Sequence, residues 1–168
     1  MRKKHVFLTG EKQVGKSTLL TKVTEDLKIE PAGFITRPYY IENRIKGHYM
    51  HSLLPCEEND VPISIRHRKN ASLSILSSFD EFGATILQKS RHQAWILMDE
   101  LGVLEEEAEV FKAQVFACLD GEGRVLGVLK KADTPFVSQI RKRNDCTILE
   151  LTQTNRAEVY NQLVAMLK

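Results

Sequence analysis

Only three cysteines occur in the 168 residues, and Cys56, Cys118 and Cys146 are far apart and odd in number. That scarcity fits neither a disulfide framework nor the paired spacing of a zinc site, and it suits a reducing compartment. Long apolar runs are also missing: no stretch approaches the roughly 20 residues that a membrane helix needs. The basic start MRKKHVFLTG carries an apolar run too short for the core of a secretory signal. A cytoplasmic location with no membrane partner is therefore the expectation. Excess charge of one sign is absent too. Twenty-four Lys and Arg stand against 22 Asp and Glu, a net charge of +2, which argues against wholesale nucleic-acid binding. No repeat or low-complexity tract appears, and a hydrophobic fraction of 42% with a charged fraction of 27% excludes disorder. The length suits a single domain spanning 1–168 with a core large enough to need no cross-links.

What is present begins with HVFLT, a short apolar run over 5–9 that reads as a buried strand, followed at once by GEKQVGKST. Residues 16–27 then place Leu19, Leu20, Val23 and Leu27 on one helical stripe. Gly10, Gly15, Lys16 and Ser17 fit the phosphate-loop pattern. Its mechanics explain the residue types. Glycines let backbone N–H groups curl around phosphates, the Lys ammonium neutralises the terminal phosphates, and the Ser hydroxyl ligates Mg2+. The helix start adds its positive dipole end to the same anion. At ordinary composition the pattern arises by accident roughly once in two hundred chains of this length, and less often between a strand and an amphipathic helix. A nucleoside triphosphate is the expected ligand, held by Gly10, Glu11, Lys12, Gln13, Val14, Gly15, Lys16, Ser17 and Thr18.

Further along, AWILM over 94–98 reads as a strand covered on both faces, and it delivers Asp99 and Glu100. Beside a phosphate loop, Asp99 is the expected second holder of Mg2+ with Ser17, and Glu100 the expected general base for an attacking water. Lys16 and Glu100 are thus the catalytic candidates. The remaining elements read as strands over 31–38, 47–54, 124–129 and 147–151 and helices over 72–90, 104–119, 135–142 and 156–167. This alternation predicts a three-layer α/β phosphate-loop fold with a mainly parallel sheet and helices on both faces. The stretch 39–70, with Pro55, Pro62 and a polar run, reads as a hairpin and loop insertion.

GEKQVGKST, GFITRP over 33–38, ILMDELGVLE over 96–105, VLGVLK over 125–130 and the late Asn155–Arg156 pair occur in an order that resembles the thermophilic-type nucleoside-triphosphatases. The resemblance spans nearly the whole chain and is weakest over 39–70. It implies a single phosphate-loop domain that hydrolyses several nucleoside triphosphates to diphosphates. It also implies that Lys16, Ser17, Asp99 and Glu100 keep their roles, and it adds Arg37, Glu105 and Arg156 as accessory candidates. The chain departs from the family at Val103, where a Lys is usual, and at Arg37 and Pro38, where an acidic residue is usual.

Other features carry less. The basic run Arg66, His67, Arg68, Lys69 is read as a solvated face, with a mobile arginine-supplying lid as its sharper alternative. His48 and His51 would point to opposite faces of a strand, and Trp95 belongs to the core. Glu105, Glu106 and Glu107 are expected to open a helix, where their charge favours the dipole. Without an arginine finger, hydrolysis is expected at roughly 10⁻⁴ to 10⁻² per second. Two alternatives stand beside it: a small-molecule or nucleotide kinase, with the middle insertion as acceptor pocket, and a nucleotide-gated switch. No pattern selects a base, so ATP and GTP are both candidates, and no protein partner is indicated.

Overall fold

The structure, a computed structural model, describes residues 3–68 and 71–168. Met1 and Arg2 of the basic start, Lys69 of the basic run and Asn70 at the end of the expected insertion lie outside the described residues.

The apolar run at the start forms β1 (His5–Thr9), buried along its whole length. Gly10 to Gly15 turn the chain into α1 (Lys16–Asp26), whose stripe buries Leu19, Leu20 and Val23. Then come β2 (Ala32–Ile41), β3 (Arg44–Ser52), β4 (Val61–Arg68) and β5 (Ala71–Ser74). A π-helical stretch, Ser78–Gly83, runs into α2 (Ala84–Ser90). The rest alternates: β6 (Trp95–Leu101), α3 (Glu109–Asp120), β7 (Arg124–Leu129), α4 (Pro135–Arg141), β8 (Cys146–Glu150) and α5 (Arg156–Leu167).

All eight strands join one sheet in the order β5, β4, β3, β2, β6, β7, β1, β8. From β2 to β8 the pairs are parallel, while β2 to β5 form an antiparallel meander. Strand alternation divides the core in two. Phe7, Phe34, Ile96 and Met98 face α2, α3 and α4, where Leu87, Phe111, Val115 and Ile140 meet them. Val6, Leu8, Leu97 and Val128 face α1 and α5, against Leu20, Val23, Val159 and Leu163. The result is three layers with helices on both faces.

Two local readings are corrected and one is filled in. In the expected hairpin and loop insertion, the described residues 39–68 carry the end of β2, which runs on to Ile41, and β3 and β4, which extend the sheet. Pro38 is tolerated in β2 because pairing with β6 stops at Ile35, so its missing N–H faces an open edge. The helix expected over 72–90 begins as β5: Ser74 pairs with Ser64 and Leu73 with Ile65, which leaves Leu73 59% exposed rather than inward. The helix expected from residue 104 starts at Glu109, so Glu105 to Glu107 lie in turns before it.

Candidate active site

The C-terminal ends of β1, β6 and β7 place their following residues along one edge of the sheet, where open α/β folds bind ligands. The loop after β1 needs its glycines for two separate reasons. Gly10 has φ +144°, and a Cβ there would lie 2.4 Å from the carbonyl oxygen of Leu151; Gly15 has φ +93° and caps α1 in the left-handed region. Lys16 folds back over the loop, and its Nζ donates to the carbonyls of Gly10 at 3.0 Å and Glu11 at 2.7 Å. Its ammonium is thereby held at the mouth that the loop encloses.

On β6 the register with β7 shifts between Asp99 and Leu101, making Glu100 the extra residue of a bulge. A bulge at a strand end re-aims side chains, and here it lets two successive carboxylates serve the same edge. The backbone N–H of Glu100 donates to Oγ1 of Thr36 on β2 at 3.3 Å. Asp99 is only 6% exposed, and the hydroxyl of Ser17 lies close enough to its carboxylate to favour the charged form. Burial pushes its pKa up to about 6, aided by the Glu100 charge, while Ser17, Lys16 and Arg37 act against that rise. The phosphate loop and the acidic pair, more than 80 positions apart in sequence, therefore meet through Ser17 and Asp99.

The accessory candidates fall into place unevenly. Arg156 opens α5 with its guanidinium on the Gly15 carbonyl at 3.5 Å. Asn155, beside it, closes the turn before α5: its amide donates to the Glu150 carbonyl at 2.8 Å, and its oxygen accepts from the Thr152 N–H at 2.7 Å. Arg37 on β2 lies close enough to Asp99 to favour its charged form. Glu105 is buried beneath the turn after β6, where its carboxylate accepts from the N–H of Gly102. Burial pushes its pKa up to about 7. Sequence reasoning missed the contact that Thr36 makes with this edge. Thr36 sits inside the quoted GFITRP stretch, but its contact depends on β2 pairing with β6, which no local spacing reveals. A depression of about 410 Å³ lined by Arg91, His92, Asp120 and Glu122 lies by the C-terminal ends of α2 and α3, on the sheet edge remote from the phosphate loop.

A strand, a phosphate loop and a helix feeding one edge of a mainly parallel sheet, faced there by a buried carboxylate, define a phosphate-loop nucleotide-binding protein of the α/β class. The chain belongs to the NTPase family, whose model matches residues 5–164. It is 30% identical over 168 residues to the nucleoside-triphosphatase THEP1 of Thermotoga sp. (strain RQ2), covering 97% of this chain and 95% of that one. The cancer-related nucleoside-triphosphatase of Homo sapiens is 27% identical over 180 residues, covering 96% and 95%. In fold, the crystal structure of THEP1 from the hyperthermophile Aquifex aeolicus matches with a TM-score of 0.80 at 25% identity, covering 98% of this chain and 99% of that one.

Proposed function

We propose that this chain is a Mg2+-dependent nucleoside-triphosphatase that hydrolyses nucleoside triphosphates to diphosphate and phosphate with broad base tolerance. The observation that carries the reading is the approach of Ser17 to Asp99, close enough to favour its charged form, which sets a phosphate-loop hydroxyl near a buried carboxylate one residue from Glu100. Oxygen donors of this kind suit Mg2+, which takes one or two protein ligands and completes its shell with water and phosphate oxygens. Among the described residues no group of three or more His, Cys, Asp or Glu is arranged to hold a metal ion. Ser17 and Asp99 would hold the ion, and when bound it neutralises charge on the triphosphate.

The chain's own groups perform the rest. The amides of residues 10–18 and the Lys16 ammonium bind and orient the triphosphate, and they are already in place when charge shifts in the transition state. Glu100 accepts a proton from water as the water oxygen bonds to the terminal phosphorus. The bond from that phosphorus to the bridging oxygen breaks, and its electron pair leaves with the diphosphate. Arg156 steadies the loop through Gly15, and Arg37 limits the cost of charge on Asp99. Among the described residues no helix is long and apolar enough to cross a membrane, and a cytoplasmic setting accords with the free cysteines.

The test is phosphate release from ATP, GTP, CTP and UTP, with and without Mg2+, by the native chain, Lys16→Ala and Asp99→Asn. Release from several bases by the native chain, dependent on Mg2+ and reduced by about 10²-fold or more in both variants, is expected. Equal release by all three proteins, or release indifferent to Mg2+, would remove the reading.

A further inference from the structure

The strand order interposes β7 between β1, which carries the phosphate loop, and β6, which carries Asp99 and Glu100. Whatever residue leaves the C-terminal end of β7 must emerge between the two halves of the site. That residue is Lys130. Its N–H donates to the Leu101 carbonyl at 2.8 Å, so it continues the pairing with β6 one residue beyond Glu100. Its stem lies over Gly102, where an added Cβ would come within 3.1 Å of both Cβ and Cδ of Lys130. Glu105 fixes the same turn from beneath by accepting from the Gly102 N–H.

The next residue shows what is unusual here. Lys131 turns to the other side and pairs with Glu150 at 2.9 Å and Glu11 at 3.3 Å. Lys130 makes no ion pair among the described residues, although it is half-buried with its stem anchored. Half-buried His48 on β3 feels it. After burial, the charges that hold that imidazole below its ordinary pKa are those of Arg66, Lys130 and Lys12. The Lys130 charge is thus felt on β3 alongside that of Lys12 from the phosphate loop, while its stem is fixed at Gly102, two residues beyond Glu100. A cation held there by its stem, with no carboxylate of its own, is set to meet an anion between Lys16 and Glu100.

We propose that Lys130 is a catalytic residue of this hydrolase, its ammonium binding an oxygen of the terminal phosphate and neutralising the charge that develops there as the bond to the diphosphate breaks. No proton passes through it. It supplies from within the chain the charge that related enzymes can draw from an arginine of a partner. The inference rests on the hydrolase reading for its rate effect and on phosphate contact alone for its binding effect.

Lys130→Met keeps the aliphatic stem over Gly102 and removes the charge, and Lys130→Arg restores charge on a different head. Two quantities are read for each: dissociation constants for a non-hydrolysable ATP analogue and for ADP, and the single-turnover rate of phosphate release from ATP. The Met variant is expected to bind ADP as the native protein does, to lose about tenfold in preference for the triphosphate, and to release phosphate about 10²- to 10³-fold more slowly. The Arg variant should regain at least part of both losses. A Met variant with native triphosphate preference and native rate overturns the proposal and leaves Lys130 as a packing residue over Gly102. If the native protein itself releases no phosphate, the hydrolase reading fails, and the binding comparison still decides whether Lys130 meets the terminal phosphate.

Discussion

Glu105 holds a carboxylate that is 2% exposed, where two backbone N–H groups, those of Gly102 and Glu105 itself, are its hydrogen-bond donors. These bonds favour the charged form, yet burial outweighs them, and Glu100 and Glu106 add to the rise that brings its pKa to about 7. The sign of the stability effect follows. The folded pKa is raised above its ordinary value of 4.5, so the folded state binds more protons between the two values, and stability falls as pH rises from about 4.5 through 7. The whole shift corresponds to about 3 kcal/mol. Glu105→Gln keeps an acceptor for Gly102 and removes the titration. Denaturant unfolding of both proteins between pH 4 and 8 should show a decline in the native chain that the variant lacks. Parallel curves would place the Glu105 carboxyl in water rather than beneath the turn. The sequence singled out Glu105 through family resemblance, but it also predicted a helix start there, and the buried contact with Gly102 is what displaces that start to Glu109. Lys16, Ser17, Asp99 and Glu100 were legible as candidates because their pattern and their place after apolar strands are local. Lys130 lies in the VLGVLK run, but its place between the two halves of the site depends on which strand lies between which.

Among the elements, α4 shows how a short helix is specified. Thr134 takes extended backbone angles, its Oγ1 accepts from the N–H of Val137 at 3.3 Å, and Pro135 supplies a residue with no N–H to satisfy. Thr134→Ala is expected to lower unfolding free energy by about 1 kcal/mol in denaturant titration, with nucleotide binding unchanged. An unchanged midpoint would mean that water caps the helix as well as Thr134 does. Such signals are readable in a sequence, as were the apolar runs of β1, β6 and β7. The boundary between β5 and α2 was not readable. The run ASLSIL over residues 71–76 fits a helical stripe as well as an edge strand, and only β4, by offering Ser64 and Ile65 as partners, decides for the strand. The π-helical stretch has a tertiary cause too. At Gly83 a Cβ would press within 2.8 Å of the Phe111 ring, and Asp80 accepts from the Phe111 N–H at 3.0 Å, supplying a cap to α3 from outside that helix.

At the scale of the whole molecule, alternating strands and helices implied a mainly parallel sheet with two covered faces, and that is the arrangement found. The antiparallel meander of β2 to β5 was less legible, because its prolines and short polar runs mimic loops until pairing with neighbours satisfies the backbone. That meander extends the sheet beyond the site and brings Arg37 and His48 toward the phosphate loop, whereas the parallel half supplies the loop, the acidic pair and Lys130. The central claim is that this one chain, with no acceptor and no partner, places water against a bound triphosphate through Glu100. Single-turnover phosphate release from ATP bound with Mg2+, in the native protein and in Glu100→Gln, tests it most directly. The account predicts that the native protein converts its bound ATP fully, while the variant keeps ATP bound at native affinity and converts it about 10²- to 10⁴-fold more slowly. Equal rates in the two proteins, or release only when a phosphate acceptor is added, would contradict it.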